Sequence, residues 1–209
     1  MVLLLLALLL PVPAAQAKVD NPADRLVRYE IDPYRTDRAT GCAKAAQPGA
    51  LGLQGWFESR FLGESWGIFN CRKIAGSRSW SLHAEGRALD WKLDDDVKVE
   101  RRQGDQIVSL LLRRDRRGNR AALARRLGLQ EVIWRCRIWT SASGGPRLYS
   151  ACRNPKVSKT EAHRDHVHMG LSWAGARGKT SFWRYYLPDP PPTIDPIDPI
   201  EPVETSRTR

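Results

Sequence analysis

Apolar residues fall along this chain in short bursts whose spacing changes from segment to segment. Residues 66–72 and 88–93 are brief and rich in aromatic or branched side chains, which predicts strands. Between 103 and 114 the residues Ile107, Val108, Leu110, Leu111 and Leu112 recur at mainly helical spacing. A second helix is expected over 120–127, stopping at Gly128, with further strands at 131–135 and 167–171. Residues 20–54 are mixed in character and broken by Asp32-Pro33, Gly41-Cys42 and Pro48-Gly49. They predict an arm or loops with little regular structure, wrapping the core. The resulting order fits an α+β fold, a small antiparallel sheet flanked by helices, better than a doubly wound parallel sheet. No internal repeat is visible, and no glycine-rich phosphate loop of the Walker or Rossmann type is present.

The ends read differently. Residues 1–17 form an apolar run followed by Ala15-Gln16-Ala17, the pattern of a signal peptide with its cleavage site. That run is too short to cross a bilayer, so no permanent membrane span is expected and the mature chain should be secreted. The arm would then occupy 18–54 and the folded domain 55–187. From Pro188 to the end, 188–209, the sequence repeats Ile-Asp/Glu-Pro, which suits a Pro-rich disordered tail.

Four cysteines agree with export, since an even count in a secreted chain usually forms disulfides. Three pairings are open. Loop-closure entropy favours Cys42 with Cys71 and Cys136 with Cys152, because near partners meet more often in the unfolded chain. No closely spaced cysteine pair exists to make a thiolate metal site.

The formal charge is +11, of which the tail contributes −3, so the rest is strongly basic. That balance suits an anionic polymer, and export favours peptidoglycan or another anionic cell-wall polymer over nucleic acid. The arginines at 113, 114, 116, 117, 120, 125 and 126 read equally well as a solvated helix face. Eight tryptophans could include a platform for sugars, but core packing is their commoner fate; Trp80, beside the motif described next, is the best candidate to line a cleft.

All four histidines fall in two clusters. The first lies in Ser81-Leu-His83-Ala-Glu-Gly86-Arg-Ala88-Leu-Asp90, the second in His163-Arg-Asp165-His166-Val-His168. In a strand 88–91, Asp90 points to one face while Leu89 and Trp91 pack on the other. Gly86 permits a tight turn that brings His83 back beside Asp90, and His166 and His168 share a face of the last strand. His83, Asp90 and His168 thus make three candidate zinc ligands. A His/Asp/His set leaves a fourth position open, as hydrolytic zinc sites do. Ser81 is expected to cap a turn or to face the substrate, and Glu85 to be a surface carboxylate.

Ser81-x-His83-x-x-Gly86-x-Ala88-x-Asp90 resembles the zinc signature of D-alanyl-D-alanine carboxypeptidases and dipeptidases. His163-x-x-His166-x-His168 is similar to the second signature of the penicillin-insensitive murein endopeptidases. Both sit in the group that unites lysostaphin-like enzymes, D-Ala-D-Ala peptidases and hedgehog-type domains, and the resemblance spans about 71–171. It implies a hedgehog/DD-peptidase-like fold and a zinc metallopeptidase that cuts amide bonds in peptidoglycan stem peptides or cross-links with a zinc-activated water. His83, Asp90 and His168 match the ligands, His166 the histidine that assists the water, and His163 a further active-site histidine. The D-Ala-D-Ala enzymes carry a Glu where this chain has Asp165, so the general base is His166 first and Asp165 second. Arg72 and Arg78 are candidates by position to grip a substrate carboxylate. The alternative reading is a non-catalytic, zinc-stabilised module that binds anionic wall polymer.

Overall fold

The computed structural model describes residues 20–186. The expected signal peptide and Pro-rich tail lie outside the described residues. Helix α1 spans Pro22–Arg25, α2 Pro48–Glu58, α3 Lys98–Leu112, α4 Ala122–Leu127, α5 Trp173–Ala176 and α6 Ser181–Tyr185. Strands β1 Glu64–Gly67, β2 Ala88–Lys92, β3 Leu129–Trp134, β4 Arg137–Thr140, β5 Arg147–Leu148 and β6 His166–Leu171 form one antiparallel sheet in the order β1-β2-β6-β3-β4-β5. The fold is α+β. The last strand is inserted between β2 and β3, which places the second histidine cluster directly beside the first.

The two faces of the sheet differ. Leu89, Trp91, Val167, Met169 and Leu171 are fully buried on one face, where α2, α3 and α4 pack. Phe57 of α2 meets the Trp91 ring edge-on at 5.4 Å, and Ile107 and Leu111 of α3 join the same core. Helix α4 stops at Gly128, as its sequence predicts. The alternation of strand side chains then puts Asp90, His166 and His168 on the opposite face.

Several segments depart from the sequence expectation. Residues 20–54 contain α1 and the start of α2, and α2 runs across the expected arm–domain boundary, with Ala50, Leu53, Trp56 and Phe57 all buried. Pro48 there begins a helix: at the first helical position its missing N–H costs nothing. The remaining arm does wrap the domain. Asp37 is held by Gln130, by the Trp173 N–H and by Arg87. The strand expected over 66–72 ends at Gly67, after a bulge against β2, and the chain then leaves the sheet. The β3–β4 hairpin turns at Arg135 and Cys136, both with positive φ, without the Asn or Gly that would have announced it.

Glu85 is not a surface carboxylate. It is buried and accepts a 2.6 Å hydrogen bond from Nε of Arg87, itself wholly buried, while its other oxygen accepts the Thr40 N–H. Arg87 also donates to the Leu171 and Asp37 carbonyls, so one ion pair joins the arm, the motif turn and β6. Arg126 likewise leaves the expected solvated face: it is buried and bonds Tyr29, Glu30 and Ser181. Arg114, Arg116, Arg117 and Arg120 are exposed, on the connection between α3 and α4 rather than on a helix face. The disulfides Cys42–Cys71 and Cys136–Cys152 both form.

Candidate functional site

Each donor is placed by local structure. Ser81 caps a 3-10 turn, Leu82–Glu85, its Oγ accepting the His83 N–H at 3.2 Å. Gly86 ends the turn at φ 65°, and its backbone lies so close to Ala45 that a Cβ would come within 2.3 Å of the Ala45 carbonyl oxygen. His83 Nδ1 is 2.9 Å from the Ile68 carbonyl, to which it donates. The other nitrogen, Nε2, is therefore the one turned to the site.

Asp90 on β2 lies directly opposite His168 on β6. Asp90 Oδ1 is 2.8 Å from His168 Nδ1 and 3.2 Å from His83 Nε2, and the two histidine nitrogens are 3.2 Å apart. Three donors from three elements thus make a nearly equilateral triangle. Tetrahedral zinc with donors at about 2.0–2.2 Å separates them by roughly 3.3–3.6 Å, so the triangle would widen slightly around such an ion; the donor types are those of an open zinc site. The same three side chains are a group able to hold a metal ion. Asp94, Asp95 and Asp96 also cluster, but Lys159 and Arg164 pair with them, and they serve to anchor the loop that carries His163.

Electrostatics within the triangle are strongly coupled. Burial works to raise the Asp90 carboxyl, but hydrogen bonds and charge from His168 and His83 outweigh it and hold Asp90 well below the usual carboxylate range. Burial opposes charge on His168 too, yet the Asp90 and Glu131 carboxylates push it up to about 10.

The other members of the second cluster surround the triangle. His166 Nδ1 is 2.7 Å from Asp165 Oδ1, and its Nε2 is 3.6 Å from Asp90 Oδ1. Asp165 accepts from His166 Nδ1 and from the Thr160 hydroxyl, contacts that suit a residue orienting His166. The His163 ring sits 4.7 Å from that of His166 and 5.6 Å from that of His168. Burial, then the charges of His168 and His166, lower its pKa well below the ordinary histidine value. His163 holds φ 52°, a conformation a non-glycine residue rarely adopts, and the β3–β4 turn secures it: the Arg135 N–H bonds the His163 carbonyl at 2.7 Å and the Cys136 N–H that of Ala162 at 3.0 Å.

His83, Asp90, His163, His166 and His168 line one cleft of about 820 Å³. Arg72 and Arg78 stand exposed on its wall, and Trp80 lines it with Lys73 placed 3.7 Å over its ring. Ser81 also borders the cleft, its Oγ accepting an N–H of the turn that carries His83. Sequence reasoning missed Glu131 and Tyr149. Glu131 Oε1 is 3.1 Å from His168 Nε2, and Tyr149 packs edge-on against His163 at 5.0 Å. Burial and the nearby charges of Glu131 and Glu161 raise the Tyr149 phenol, which stays protonated at neutral pH.

Residues 42–163 match the family model described as VldE, C-terminal domain. The match takes in more than half of the chain, and the chain belongs to that family. It includes His83, Asp90, Glu131 and His163 and ends before Asp165, His166 and His168. No curated protein and no solved structure matches.

Proposed function

We propose that this member of the VldE C-terminal domain family is a secreted zinc-dependent peptidase that hydrolyses amide bonds in peptidoglycan stem peptides or cross-links. The family's description names no reaction, so the reading rests on the site. The observation that carries it is the convergence of His83 Nε2, Asp90 Oδ1 and His168 Nδ1, all within 3.2 Å of one another, in an open cleft. Zinc held by these three residues would polarise a carbonyl and lower the pKa of a bound water to about 7.

The surrounding side chains supply the rest of an amide hydrolysis. His166, its Nδ1–H fastened to Asp165, presents Nε2 beside the donor triangle to take a proton and return it to the leaving amine. Asp165 fixes the tautomer that makes this possible. His163, neutral and held by its strained backbone, closes the wall beside His166. Arg72 and Arg78 offer guanidinium groups to a substrate carboxylate, which suits the acidic stems of wall peptide. The motif resemblance to D-Ala-D-Ala peptidases and murein endopeptidases supports the substrate class. Two disulfides fit an extracellular protein, and among the described residues no helix is long and apolar enough to cross a membrane.

The test is release of peptides from purified peptidoglycan by the oxidised, zinc-loaded protein. Release that falls in His166→Ala while zinc stays bound is the expected result. Bound zinc with no release from any wall type would replace the peptidase with the non-catalytic wall-binding module.

A further inference from the structure

His168 is unusual within the site because a carboxylate faces each of its ring nitrogens: Asp90 at Nδ1, 2.8 Å, and Glu131 at Nε2, 3.1 Å. Glu131 reaches this position through an irregularity in the sheet. In the β3–β6 pairing Leu129 lies opposite Leu171, but Glu131 lies opposite Gly170, so two steps along β3 match one along β6. Continued without that bulge, the ladder would set Glu131 against Met169, on the core face. The bulge at Gln130 moves it to the face of Gly170 and His168, with His168 as its diagonal neighbour. Gly170 then supplies the room. A Cβ at 170 would come within 2.8 Å of Glu131 Cγ and 2.3 Å of Leu82 Cδ1, so any side chain there would crowd the Glu131 carboxylate away from His168.

The geometry points to Glu131 as a positioning residue that fixes the Nε2–H tautomer of His168, leaves Nδ1 as the donor atom, and strengthens that donor by its negative charge. This rests on the metal reading of the site and adds to it a residue outside both histidine clusters. The contrast with His83 shows what is special: there the same task falls to the neutral Ile68 carbonyl. A carboxylate behind a ligating imidazole raises its basicity as well as orienting it, and losing such a partner typically costs 10–100-fold in metal affinity. Glu131 itself needs no contact with substrate.

The experiment measures zinc affinity of the full-length oxidised protein by competition with a chromophoric chelator, for the wild type, Glu131→Gln, Glu131→Ala and Gly170→Ala. The visible spectrum of the cobalt-substituted forms is recorded alongside. Glu131→Gln keeps the shape and loses the charge, and should weaken zinc about 10-fold, with Glu131→Ala nearer 100-fold. Gly170→Ala should weaken it too, and the cobalt bands should shift in all three, a change that a purely structural role in the sheet would not produce. Wild-type affinity and an unshifted cobalt spectrum in folded Glu131→Gln would overturn the role of Glu131 and leave the metal site standing. A wild type that binds no zinc would overturn the metal reading and this inference with it.

Discussion

Strands β2 and β6 carry two different jobs on their two faces. Leu89, Trp91, Val167 and Met169 on one face are fully buried among helices, while Asp90, His166 and His168 on the other converge on one point. Adjacent residues of the same strand thus differ entirely in what they contribute. The core face fixes the register, and the register sets Asp90 opposite His168. A one-residue slip would send every polar group into the core and every apolar one into the cleft, so the packing of Trp91 and Met169 is what holds the donors together.

The comparison can be broken from either side. The largest effect is expected from His166→Ala, which touches only the polar face: peptide release should fall about 10²–10⁴-fold in kcat, with zinc content and unfolding midpoint close to wild type. A fall in zinc content of the same size would instead make His166 a ligand. On the apolar face, Trp91→Ala should cost about 3–5 kcal/mol in urea unfolding through the cavity it leaves and the lost bond to the Leu62 carbonyl. The protein that remains folded should still bind zinc one to one.

Glu85→Ala should cost a similar amount, about 3–5 kcal/mol, because it strands the wholly buried Arg87. Replacing both partners, as Glu85→Gln with Arg87→Met, should recover part of that loss; if the double variant is the worse of the two, the pair is not what limits stability there. The smallest effect belongs to the cleft wall. Arg78→Ala should raise KM about tenfold and leave kcat and zinc affinity unaltered, since its guanidinium is exposed on the cleft wall and bonds none of the three donors. A change in kcat alone would move Arg78 into the chemistry.

What could be read from the chain divides along local and non-local lines. Strands β2 and β6 and the helices α3 and α4 announced themselves by short-range spacing, and so did each histidine cluster; that the two clusters meet, 78 residues apart, was expected from their residue types and motif resemblance. Helix α2 was hidden by its opening Pro48-Gly49, which serves as a helix start, and β4 by a turn through Arg135 and Cys136 that lacks the usual turn residues. Glu85 and Arg126 were misjudged because the arm and α6, which help to bury them, contact them from 45 or more residues away. Glu131 is hardest of all to foresee: its approach to His168 depends on a bulge that only the folded sheet reveals.

If the polar face of β2 and β6, with His83, holds zinc, the metal content of the purified, oxidised protein shows it, measured beside His83→Ala and His168→Ala with peptide release followed in the same samples. About one zinc per chain is expected in the wild type, lost together with peptide release in both variants. A wild type that binds no zinc, or variants that keep it, would contradict the site as described.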